Sequence, residues 1–175
     1  VMMSERARAA IDATTSSSFA CDLKKWLQIM ETYEGGGHAY HTTMPTDALT
    51  RTRDVMAETR AIGFGKLRDA QLALGQRVRA LLQRHGYPSV AAEGFQAPGV
   101  VVSYTHDAGL ATARSFIALG LQTAAGVPLQ CDEGADFKTF RIGLFGLDKL
   151  LDIDRTVARL EGALAQVAGD QRQAA

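Results

Sequence analysis

Arg141 stands inside Phe140-Arg141-Ile142-Gly143-Leu144-Phe145-Gly146, an otherwise apolar, strand-like run. A guanidinium among apolar neighbours requires a partner. Its planar fork of donors matches a carboxylate bidentately, which a lysine cannot imitate. Arg141 is therefore the first candidate for binding a small carboxylic acid. The competing reading is structural, an arginine paired to a nearby Asp or Glu or extended along a strand end toward solvent. Tyr40 and Thr43, in Tyr40-His41-Thr42-Thr43-Met44-Pro45-Thr46-Asp47-Ala48-Leu49, are the second candidates. Their neutral hydroxyls lie in a polar loop that runs straight into a helix, a donor set suited to a phosphate monoester. The same loop also reads as a plain helix cap, with Thr46 or Asp47 serving the helix and Tyr40 packed on a core.

Other chemistry is thinner. His38 and His41 lie three apart, but no third ligand has matching spacing, so zinc is not expected and no metal is assigned. His41 is expected to line a pocket or pack at an interface. Gly63-x-Gly65 and Gly143-x-x-Gly146 lack the strand–turn–helix order of a phosphate-binding glycine loop. Asp132-Glu133 and Asp152-x-Asp154 read as turn and cap residues. Cys21 and Cys131 lie 110 positions apart without CxxC spacing and read as two reduced thiols.

The elements that position these residues follow from periodicity. Val1 to Met3 reads as a strand end, and Ser4 caps a short helix with Ala7, Ala10 and Ile11 as its buried stripe. From Asp22 a second helix carries Leu23, Trp26, Leu27 and Met30 at the 3.6-residue period. Gly35-Gly36-Gly37 ends it. Asp47 to about Arg84 is largely helical, with an interruption near Gly63-Phe64-Gly65. Its second part presents Leu67, Ala70, Leu74, Val78 and Leu81 on one face. Gly86 and Pro88 stop that helix. Beyond residue 87 the pattern becomes strand, helix, strand, strand, helix. Gly99–Tyr104 is a strand, and Asp107 caps a helix carrying Leu110, Ala113, Ile117 and Leu121. Val127–Cys131 and Phe140–Phe145 are further strands, and Ile153, Val157, Leu160, Leu164 and Val167 mark the last helix. A small sheet covered by helices, an α+β arrangement, is the expected fold.

Composition frames the partners. The chain has 175 residues, 46% hydrophobic and 22% charged, with 19 basic against 19 acidic side chains. A net charge of zero removes the general electrostatic argument for nucleic acid or an anionic membrane. No apolar run is long enough to span a bilayer, and no basic-then-apolar leader opens the chain. A soluble, cytoplasmic protein is the expectation.

Taken together, the YHTTMP loop and the FRIGLFG strand, about a hundred residues apart with a long helix between them, resemble the class V aminotransferases of fold type I. Within that group the chain is most similar to the alanine–glyoxylate and serine–glyoxylate (serine–pyruvate) aminotransferases. The resemblance runs from the Met3-Ser4-Glu5-Arg6-Ala7 helix start to the last helix, and it matches the C-terminal portion of such an enzyme. It implies a pyridoxal 5'-phosphate cofactor and a homodimer. It also implies amino transfer from a small amino acid (alanine or serine) to a 2-keto acid (glyoxylate or pyruvate). Arg141 would grip the substrate carboxylate, and Tyr40 and Thr43 would reach the cofactor phosphate of the neighbouring subunit. Residues 1–65 would be a helical remnant of the large cofactor-binding domain with its dimer-contact loop and helix, and residues 66–175 the small domain. The lysine that anchors the cofactor and the aspartate facing its ring nitrogen lie upstream in the family, and none of Lys24, Lys25, Lys66, Lys138 or Lys149 sits in such a motif. A fragment without catalytic residues of its own, inactive alone, is the resulting expectation. An aminoethylphosphonate transaminase or other class V member is the alternative within the group. Outside it stands a non-catalytic, self-associating domain, to which an uncovered Leu23, Trp26, Leu27 and Met30 face would contribute.

Overall fold

The apolar stripes read from the sequence become helices wherever a capping residue precedes them. In the computed structural model, which describes residues 2–174 and their side chains as far as 169, the helices are α1 (Glu5–Ala13), α2 (Leu23–Glu34), α3 (Thr46–Ile62), α4 (Phe64–Arg84), α5 (Ala108–Ala111), α6 (Arg114–Ala118), α7 (Leu147–Leu150) and α8 (Ile153–Ala174). The strands are β1 (Val100–Tyr104), β2 (Ala124–Ala125) and β3 (Thr139–Gly143). Ser4 Oγ accepts from the Ala7 N–H, and Asp22 and Asp107 accept likewise at the starts of α2 and α5. Two compact units divide within α3, Val1–Arg53 and Asp54–Ala175.

The second unit holds the core and the sheet. β3 is central, antiparallel to β1 on one side and to β2 on the other. Because side chains alternate across a strand, Val101, Ser103, Phe140 and Ile142 share the buried face, where they meet Leu74, Val78, Leu160 and Leu164 of α4 and α8. Arg79 secures the entry to β1 by donating from Nη2 to the carbonyls of Ala97 and Val100. Burial lowers its pKa. Outside β1, Val90 N–H donates to Val102 O at 3.0 Å and Tyr104 N–H to Pro88 O at 2.9 Å. Outside β2, Gly126 N–H donates to Ala111 O at 3.1 Å.

In the first unit α1 and α2 are tied by the Arg8–Glu31 ion pair and by Lys24 Nζ donating to Asp12 O at 2.7 Å. None of the residues of α1 or α2 is fully buried.

Several sequence expectations change. Of the strand end at Val1–Met3, Val1 lies outside the described residues, and Met2 and Met3 take no strand conformation. The stripe of α1 is only partly covered, with Ala7 and Ile11 half-buried and Ala10 exposed. The single helix expected after Asp107, carrying Leu110, Ala113, Ile117 and Leu121, is two short ones. Ala113, at φ 63°, breaks it. An unbroken helix would rotate Leu110 and Phe116 to different faces, whereas the break leaves both with no exposed surface. Val127–Cys131 is not a strand. Glu133 takes the N–H groups of Leu129, Gln130 and Cys131, and Gln130 turns to positive φ, so these groups cannot enter a ladder. The pairing with β3 is made upstream, by Ala124 and Ala125. The strand expected over Phe140–Phe145 ends at Gly143, and Phe145 is 62% exposed rather than buried.

Candidate functional site

Arg141 sits at the middle of the central strand. Its register partners are Val102 of β1 and Ala124 of β2. Alternation puts it on the face opposite Phe140 and Ile142, away from the helix-covered core. On that face Thr139 is buried, Val102 and Arg141 itself are half-buried, and Tyr104 and Gly143 are exposed. The guanidinium Nε donates to Ala125 O at 2.9 Å. Among the described residues no carboxylate lies within ion-pair distance of it. One donor is thus spent on fixing the side chain over β2, and the terminal nitrogens keep their fork. The guanidinium is thus held by a backbone carbonyl and not by a neighbouring acid.

The placement of Ala125 depends on its neighbour. A Cβ at Gly126 would fall on the Thr139 carbonyl, 2.6 Å from its carbon. Only glycine allows β2 to approach β3 so closely, and this approach brings Ala125 O beneath Arg141.

Beside this edge, a cavity of about 610 Å³ is lined by residues of the 126–139 connection, Glu133 and Lys138 among them. Glu133 holds its carboxylate against three backbone N–H groups at 2.5–2.9 Å. Those bonds, that from Cys131 foremost, lower its pKa to about 2. The sequence reading of Asp132-Glu133 as turn residues missed this cradle. Its only local signal was the acidic pair itself ahead of a glycine.

Tyr40 and Thr43 belong to the first unit. The Tyr40 hydroxyl lies 3.2 Å from Thr43 Oγ1, so the loop does bring the two candidates together, and Tyr40 is 72% exposed. The reading of Tyr40 as a core residue is therefore overturned. His38 and His41 turn to different neighbours. His41 packs between Phe19 and Trp26, at ring-centroid distances of 4.4 and 5.0 Å, and its Nε2 is 3.2 Å from Phe19 O. His38 lies against Tyr33. Trp26, half-buried, donates from its indole N–H to Ala20 O. Among the described residues no group of three or more His, Cys, Asp or Glu side chains is placed to hold a metal ion. None of the described helices is long and apolar enough to cross a membrane.

No protein-family model matches the chain, and no curated protein sequence matches it. Among solved structures it is similar to an alanine–glyoxylate aminotransferase from Nostoc sp., with a TM-score of 0.74 and 20% sequence identity. The match covers 95% of this chain and 42% of that enzyme's chain. At that identity the likeness is one of fold. The chain has a partial aminotransferase-type fold, spanning less than half the length of the enzyme it matches.

Proposed function

We propose that the chain is the C-terminal part of a pyridoxal-phosphate-dependent aminotransferase acting on a small amino acid, alanine or serine, and a 2-keto acid such as glyoxylate or pyruvate. The observation that carries this reading is Arg141, fixed by Ala125 O on the face of the sheet opposite the core, with no acidic partner among the described residues. Substrate carboxylate would dock on its two terminal nitrogens, a charge-assisted, bidentate contact that orients the reacting carbon.

The cofactor's phosphate end fits Tyr40 and Thr43. Two hydroxyls 3.2 Å apart on an exposed loop can each donate to a different oxygen of one phosphate. Bound pyridoxal phosphate supplies the electron sink that amino transfer needs. The covalent anchor would come from a lysine upstream of residue 1, so the chain alone is inactive in this reading. Residues 1–65 are then the end of the large domain with its dimer contacts, residues 66–175 the small domain, and the working enzyme a cytoplasmic homodimer.

The test uses the polypeptide encoded by the complete reading frame, assayed with alanine and glyoxylate. Replacing Arg141 by Lys should raise the KM for the keto acid about 10- to 100-fold, the loss of a charge-assisted fork. An unchanged KM in Arg141→Ala overturns the role given to Arg141. A reading frame that encodes no cofactor-anchoring lysine overturns the enzyme assignment.

A second reading, a self-associating domain without catalysis, is favoured by the exposure of Phe19, Leu23, Met30 and Tyr33 in the first unit. Sedimentation of the chain over a concentration series tests it, and a monomer at every concentration rejects it.

A further inference from the structure

A cavity of about 460 Å³ opens at the C-terminal end of β3. Beneath it lie Val78, Ile142, Leu144 and Leu160 of the core, and its accessible apolar lining comes from the half-buried Leu121 and the exposed Phe145; Arg141 does not line it. Its rim is charged. Arg155 and Arg159 stand one helical turn apart on α8, and both line the opening. Like charges at this spacing oppose each other. Their acidic neighbours do little to relieve this: Arg155 Nε lies 3.8 Å from an Asp152 carboxylate oxygen, and both side chains are well exposed. Arg159 has no acidic partner among the described residues, and its Nη2 donates to Gly120 O at 3.1 Å, which holds it at the rim. Also in the lining, Thr123 Oγ1 is buried with no hydrogen-bond partner among the described residues, a condition that native folds mostly avoid.

We infer that this cavity is a second binding site, one that takes an organic carboxylate with a short aliphatic body. The carboxylate settles between Arg155 and Arg159, removing their mutual repulsion, and the body covers Leu121 and Phe145. A bare inorganic anion would leave those apolar side chains wet. Asp148, which also lines the opening and pairs with Lys149 at 3.2 Å, disfavours a dianion. A cavity of this size with an apolar lining and a few convergent polar groups is the usual form of a small-molecule site. The inference does not depend on the aminotransferase reading, since none of these residues is assigned a part in it.

The test is an amide-resolved NMR titration of the chain with hexanoate, with hexanol and inorganic phosphate as comparison probes. Hexanoate should shift the signals of Gly120–Thr123 and Gly143–Phe145 saturably. Hexanol, without the charge, and phosphate, without the body, should bind at least about tenfold more weakly. The double variant R155Q/R159Q keeps helix-forming side chains at exposed positions and should weaken hexanoate about tenfold or more, with its spectrum otherwise unchanged. Equal affinity for hexanoate and hexanol, or for hexanoate and phosphate, overturns the inference. So does wild-type affinity in the double variant, or a response confined to Arg141 and Ala124–Ala125.

Discussion

Replacing Gly126 by Ala couples the packing of the sheet to the orientation of Arg141. A methyl group there would stand 2.6 Å from the carbonyl carbon of Thr139, against 3.4 Å or more for ordinary contact. The Thr139 carbonyl oxygen is nearer still, so even if the Thr139 hydroxyl turns aside the backbone obstacle remains and β2 must move off β3 by roughly 1 Å or more. Overpacking of this kind costs about 1–3 kcal/mol. The shift also draws Ala125 O away from Arg141 Nε, and losing that hydrogen bond adds about 0.5–1.5 kcal/mol. The combined loss of about 1.5–4.5 kcal/mol corresponds to a fall in Tm of roughly 3–18 °C for a chain of this size. Thermal denaturation measures the first effect. The arginine Nε–H signal of Arg141 in a nitrogen–proton spectrum measures the second, and it should broaden or exchange faster with solvent. A Gly126→Ala protein with unchanged Tm and an unchanged Arg141 signal would refute the claim that this close approach positions the guanidinium.

Gly162 makes the natural control: it lies inside α8, where a Cβ meets nothing within 4 Å. Ala at that position should stabilise by about 0.5–1 kcal/mol, read as a higher Tm. Leu74→Ala removes a side chain with no exposed surface and should cost about 2–5 kcal/mol, measured as a lower urea midpoint. Glu133, whose pKa is lowered to about 2 by backbone N–H donors, should stay ionised well below the usual carboxylate range. Its contribution is full above its ordinary pKa of 4.5 and fades as pH falls toward 2. The carbon-13 shift of its carboxyl, followed from pH 6 to pH 2, checks this, and Glu133→Gln should loosen residues 129–133 at neutral pH.

The parts of the fold legible in the sequence are those where one period dominates. Leu67, Leu74, Val78 and Leu81 of α4, and Val157, Leu160, Leu164 and Val167 of α8, are buried as their spacing requires. β1 and β3 follow from β-branched and aromatic runs bounded by glycine or proline. What the periodicity could not carry is any place where a side chain competes with the backbone ladder. Glu133 diverts the N–H groups that Val127–Cys131 would need for pairing. Ala113 adopts a left-handed conformation only because burying both Leu110 and Phe116 repays it. Of the candidate residues, Arg141 was visible as a charge in an apolar run, and the Tyr40–Thr43 proximity as a spacing of three. The Ala125 contact was not, because it depends on which two residues of the 121–131 stretch pair with β3, and that was settled by Gly126 and Thr139.

The hydrogen bonds outside β1 and β2 bear on how copies of this chain can meet. A three-stranded sheet has two borders, and a bare border invites a strand from another molecule. Here residues 88–90 occupy one border, and the Gly126–Ala111 bond ties the other, which is only two residues long. Little unpaired main chain is left to template cross-molecular ladders. Contact between copies is thereby steered to side-chain surfaces, where geometry and stoichiometry can be fixed, and away from open-ended fibrillar growth.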